Sequence, residues 1–174
     1  MFNLDKKNIK LSNGETFAYV EKGDIKNKTL LLIHGNFSSS LHFSRAIANL
    51  SPHFHIVAPD LRGFGDSTYH QRIKTLRELA DDLALFLDAL KIDKVFALGW
   101  SLGGGVAMEF AAHHSHLVEK LILVASTTHK GYPVYKKDSN MQPIIGSAYS
   151  TPEEMVTLEL DQFPFLLGLS KQNQ

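Results

Sequence analysis

Cysteine is absent from all 174 residues. That removes thiol nucleophiles, thiolate metal sites and disulfide scaffolds, leaving Ser, Asp, Glu, His and Lys as the chemically capable side chains. A charge excess is absent too, with 18 Lys and Arg against 18 Asp and Glu. Nucleic acids and anionic membranes are bound through clustered Lys and Arg, and with no basic tract neither is an expected partner. No apolar run approaches the roughly 18 residues of a membrane span, and Met1 to Lys7 lacks the apolar stretch of a secretory signal. The cytoplasm is therefore the expected compartment. What is present is a chain 44% hydrophobic, long enough to bury about 70% of its surface. One soluble globular domain with a core of its own is expected, without internal repeats or low-complexity segments.

Segments near Asn8 to Leu11 and Glu15 to Glu21 flank Asn13-Gly14, a hairpin signal, so the chain should open with an antiparallel ribbon. Thr29 to Ile33, His55 to Ala58, Lys94 to Gly99 and Leu121 to Ala125 are solid apolar runs without polar alternation. Strands covered on both faces look like this. Helical spacing occurs near Leu41 to Leu50 and over Val106 to Ala112, and most clearly from Leu76 to Leu90 behind a Thr75-to-Glu78 capping box. Alternation of these elements predicts a mainly parallel sheet with helices on both faces. Composition shifts after Ser126. Thr151-Pro152-Glu153-Glu154 restarts a helix, and the stretch from Thr127 is expected to be an appended helical element rather than more sheet.

The most informative string is Gly99-Trp100-Ser101-Leu102-Gly103, a G-x-S-x-G between an expected strand and an expected helix. A turn this sharp strains its central residue, and flanking glycines remove the Cβ atoms that would clash. Ser101 is thereby lifted above the sheet as a candidate catalytic nucleophile, beside helix N–H groups that lack intrahelical partners. The Leu102 amide is the natural oxyanion donor. A second donor is expected from His34-Gly35-Asn36-Phe37, as the Asn36 amide or the neighbouring Phe37 amide. His34, Gly35 and Trp100 would line the pocket, with Phe43, Tyr132 and Tyr135 as further aromatic candidates. A phosphate-cradling role fits less well, because neither a Walker-type Lys nor G-x-G-x-x-G is present.

Taken with the opening ribbon, the His34-Gly35 loop and Asp60-Leu61-Arg62-Gly63-Phe64-Gly65-Asp66-Ser67, the elbow string resembles the α/β-hydrolase superfamily, in particular its cap-bearing esterase-like and lactonase-like serine hydrolases. The resemblance covers nearly the whole chain. It implies a core at 1–126 carrying strands 1–6, and the start of a cap over the active site at 127–174. It further implies strand order 1-2-4-3-5-6-7-8, with the last two strands missing and Leu121 to Ala125 left at an open edge. That edge would suit self-association or a complementing chain. Asp at the nucleophile position would suggest an epoxide hydrolase or dehalogenase, whereas Ser101 points to acyl transfer on small esters, thioesters or lactones.

In such proteins the acid and the histidine follow the cap, and the chain stops at Gln174. No residue maps onto either, and activity is expected to be absent or residual, the alternative being a non-catalytic binding module. His34 and His129 are the nearest substitutes for a base, although the better reading of His34 is that it shapes the oxyanion loop. His113, His114 and His116 lie about 12 residues along the helix from Ser101, roughly 18 Å away at 1.5 Å per residue, far beyond hydrogen-bond reach. They are expected to be surface cations rather than metal ligands. Asp60, Arg62 and Asp66 should form a salt-bridged loop that fixes the pocket floor. No cofactor and no metal are expected.

Overall fold

At the first turn Gly14 adopts φ 92°, a conformation open to glycine, while the Asn13 side chain accepts from the Glu15 amide. The turn joins β1 (Lys6–Lys10) to β2 (Thr16–Lys22), paired antiparallel with Lys6 opposite Val20. The computed structural model describes residues 4–129, 135–140 and 142–148, and the chain divides into two units, 1–131 and 132–174.

In the first unit, β2 lies antiparallel to β4 (His55–Pro59), and from there the sheet is parallel through β3 (Thr29–Ile33), β5 (Val95–Trp100) and β6 (Val118–Val124). The order β1-β2-β4-β3-β5-β6 agrees with the expected one. Residues 30–33 of β3 and all of β4 are buried, as their unbroken apolar sequences require of strands covered on both faces.

Two cores follow from the alternation of side chains across the sheet. Leu31, Ile33, Val57 and Ala97 face α2 (Leu76–Leu90) and α3 (Leu102–His113), with Leu83, Phe86 and Phe110 fully buried among them. Leu30, Leu32, Ile56 and Ala58 face the other way, toward Phe43 of the 3-10 turn Ser40–Phe43 and Ile47 of α1 (Ser44–Leu50). The capping box on α2 forms as expected, Thr75 accepting from the Glu78 amide while Glu78 accepts from the Thr75 amide. No helix among the described residues is long and apolar enough to cross a membrane.

Helix α3 begins at Leu102, four residues before the expected Val106. Its glycines are poor helix formers in isolation, but a Cβ on Gly103 would stand 2.2 Å from the Ile33 carbonyl oxygen, so packing overrides propensity. Strand β6 lies at an edge of the sheet, and Leu121, Ile122, Leu123 and Val124 are 38–43% exposed.

Where the second unit is described it is sheet, which corrects the expectation of a helical element rather than sheet over those residues. Its described residues form β7 (Tyr135–Lys137) and β8 (Pro143–Ala148), an antiparallel ribbon with Lys137 opposite Pro143. Between them Asp138 Oδ1 accepts from the Asn140 and Gln142 amides, both at 2.9 Å. An aspartate that ties up the following amides in this way makes a turn rather than a helix, and the β-branched pair Ile144-Ile145 favours the strand that follows. The helix expected at Thr151, and Tyr132 with it, lie outside the described residues.

Candidate active site

Ser101 stands between β5 and α3 at φ 55° and ψ −120°, a conformation a serine adopts only under constraint. The constraint is visible. The Ser101 amide donates to the Val124 carbonyl at 3.1 Å, and the Ser101 carbonyl accepts from the amides of Thr127 at 3.0 Å and Gly104 at 2.9 Å. A Cβ on Gly99 would lie 2.2 Å from the Gly103 carbonyl oxygen, so only glycine allows the strand and the helix to approach this closely. The Ser101 side chain does not cap the helix it precedes. Among the described residues none accepts a hydrogen bond from the Leu102 amide, as expected at the first position of a helix.

The His34-to-Phe37 segment passes directly beside this turn. A Cβ built on Gly35 would sit 3.1 Å from Ser101 Cβ and 2.9 Å from the Trp100 ring. Phe37 takes φ 49° and is 66% exposed, and Asn36 is exposed. The structure thus brings Gly35, Trp100 and Ser101 together, with Asn36 and Phe37 following in the same loop. The Trp100 indole stacks on His42 at 4.1 Å, on the α1 side of the sheet.

His34 is fully buried and both its ring nitrogens are engaged. Nε2 accepts from the Leu61 amide at 3.0 Å, which places the proton on Nδ1, and Nδ1 donates to the Gly35 carbonyl at 2.8 Å. Burial, opposed in part by the Gly35 bond, holds its pKa below the ordinary histidine value. This geometry rules out His34 as the substitute base: no lone pair is left to take the Ser101 proton. The ring instead ties the loop beside Ser101 to the loop after β4.

Asp60 organises that second loop. Its carboxylate accepts from the Ser40 amide at 2.7 Å, the Asp66 amide at 2.9 Å and the Lys6 ammonium at 2.6 Å. Burial works to raise its pKa, but Lys6 and the two amides outweigh burial, and the net direction is down. Arg62 donates from Nε to Asp82 Oδ2 at 2.7 Å and from Nη2 to Asp82 Oδ1. Both residues play the structural part expected of them, and Lys6 also bridges to Asp66. The partners of Ser101, namely Val124 and Thr127, and the Leu61 amide on His34 carry no sequence signal. They are backbone groups, or residues distant in sequence, that only the closed sheet brings near.

The remaining described histidines lie away from this turn or exposed. His55 Nε2 meets Glu21 at 2.8 Å, His114 meets Asp81 at 2.7 Å and His113 meets Glu109 at 3.3 Å, while His116 and His129 are exposed.

A strained serine at the turn from a strand to a helix, over a mainly parallel sheet and flanked by Gly99 and Gly103, defines a class of α/β protein. A family profile described as alpha/beta hydrolase fold matches residues 28–157, and the chain belongs to that family. It is 36% identical over 112 residues to a soluble epoxide hydrolase of a Corynebacterium species, covering 64% of this chain and 38% of that protein. It is 33% identical over 121 residues to a pimeloyl-[acyl-carrier protein] methyl ester esterase of Vibrio vulnificus, covering 70% and 45%. Among solved structures it resembles a bacterial membrane phospholipase A, with 33% identity, TM-score 0.69, and coverage of 77% of this chain and 43% of that one. The chain therefore spans less than half the length of these relatives.

Proposed function

We propose that this chain carries the nucleophile of a serine hydrolase acting on small carboxylic esters, thioesters or lactones. Ser101 Oγ attacks the carbonyl carbon, and the Leu102 amide and an amide of Asn36 or Phe37 stabilise the oxyanion. The acyl C–O or C–S bond then breaks, the leaving oxygen or sulfur takes up the proton that Ser101 gives up, and Ser101 is acylated, with the new hydroxyl still tethered when the substrate is a lactone. Water then releases the acid. The observation that carries this reading is the Ser101 backbone at φ 55°, held by Val124 and Thr127 at the start of α3. Relatives named for ester and for epoxide hydrolysis both exist, and a hydroxyl rather than a carboxylate at position 101 favours the ester.

A second reading, a binding module that relies on a partner for its chemistry, draws on one observation: among the described residues no hydrogen bond joins a histidine to Ser101. p-Nitrophenyl butyrate separates the two. Release of up to one equivalent of nitrophenol, with a butyryl adduct on Ser101 that Ser101→Ala abolishes, supports the hydrolase. Absence of any adduct supports the binding module.

A further inference from the structure

The residue after the candidate nucleophile belongs to two surfaces at once. Leu102 begins α3 beside Ser101, and it lines an open pocket of about 320 Å³ together with Phe64, Tyr69, Ile73, Leu76 and Leu79. Leu102 directly follows Ser101, so one wall of the pocket is the residue next to the candidate nucleophile.

Arg62 also lines the cavity and would appear to make it an anion site. It does not, because its charge is already met by the Asp82 and Glu15 carboxylates. Nε and Nη2 are taken by Asp82, Nη1 points to the Gln71 carbonyl at 3.3 Å, and the residue is 6% exposed. What remains for a ligand is hydrocarbon and aromatic surface. A carboxylate entering here would lose water and find no free cation. The walls are fixed: Leu76 and Leu79 sit on the first turns of the capped helix α2, and the Tyr69 hydroxyl accepts from the Ile73 amide at 3.2 Å. Tyr69 is 53% exposed and so stands at the cavity's border with solvent. A volume of about ten waters at ~30 Å³ each accommodates on the order of six to ten heavy atoms.

We infer that this cavity is a substrate subsite that receives an uncharged aryl or branched short-alkyl group of the ester and rejects carboxylate-bearing ones. The inference rests on Ser101 being the nucleophile. Its test compares the rates at which phenyl- and methyl-phosphonofluoridates label Ser101. The phenyl-to-methyl rate ratio should fall about tenfold in Ile73→Trp, which fills the cavity, a size typical of discrimination in an apolar pocket. It should be unchanged or higher in Tyr69→Ala. A ratio that does not move in Ile73→Trp overturns the subsite.

A measurement independent of labelling is p-cresol binding followed by methyl NMR. Shifts at Ile73, Leu76, Leu79 and Leu102 that are weakened by Ile73→Trp support the cavity as an apolar binding site, and their absence overturns it. If p-cresol binds but neither phosphonofluoridate labels Ser101, the nucleophile reading fails while the binding site stands.

Discussion

The Leu61 amide donates to His34 Nε2 across 3.0 Å of protein interior, fastening the loop after β4 to the loop that runs past Ser101. His34→Ala leaves that amide buried without an acceptor, a loss of about 1–3 kcal/mol. A urea titration should show the midpoint fall with the slope retained. Unchanged stability would mean that the ring is not a structural tie.

The same bond sets a pH dependence. The folded-state pKa of His34 is depressed, so the neutral ring's contribution is fully present above the ordinary value of about 6.5 and drains away as pH falls below it. Asp60 is also depressed, and its contribution is lost only in a lower window, beginning below about 3.9. Thermal melts should therefore decline in two stages, with His34→Gln flattening the upper stage and Asp60→Asn the lower. A single decline confined below pH 4 would contradict the assignment to His34.

Close packing at the elbow gives a third expectation. A methyl on Gly103 would meet the carbonyl oxygens of Ile33 at 2.2 Å and His34 at 2.4 Å, both backbone atoms that cannot swing aside. Gly103→Ala should cost about 1–3 kcal/mol, a drop of several degrees in melting temperature. A neutral outcome would show that α3 can lift off β3.

The fold was legible wherever one physical pattern decided it. Thr29 to Ile33 and His55 to Ala58 are apolar on both faces, and Thr75 with Glu78 marks a helix start without help from the rest of the chain. Legibility failed where a distant contact decided. Gly103 and Gly104 look like a loop until β3 and Ser126 are seen packed against them. The ribbon of β7 and β8 is not legible in the sequence because its turn depends on Asp138 capturing two amides. At the site, glycine spacing marks Ser101 as the elbow, but nothing in the order of residues foretells that His34 is locked or that Asp82 neutralises Arg62.

Among the described residues edge strand β6 pairs with β5 alone and exposes the apolar row Leu121 to Val124. The chain alone is expected to self-associate in light scattering, and Leu121→Lys to shift it toward the monomer. A monodisperse wild-type monomer with a cooperative melt would contradict this.

The central claim is that the strained turn presents Ser101 Oγ as a nucleophile, and mass mapping after exposure to an alkyl fluorophosphonate tests it most directly. One adduct per chain, located on Ser101 and absent from a folded Ser101→Ala variant, is the expected result. No adduct on Ser101, or labelling that persists unchanged in Ser101→Ala, would contradict the account.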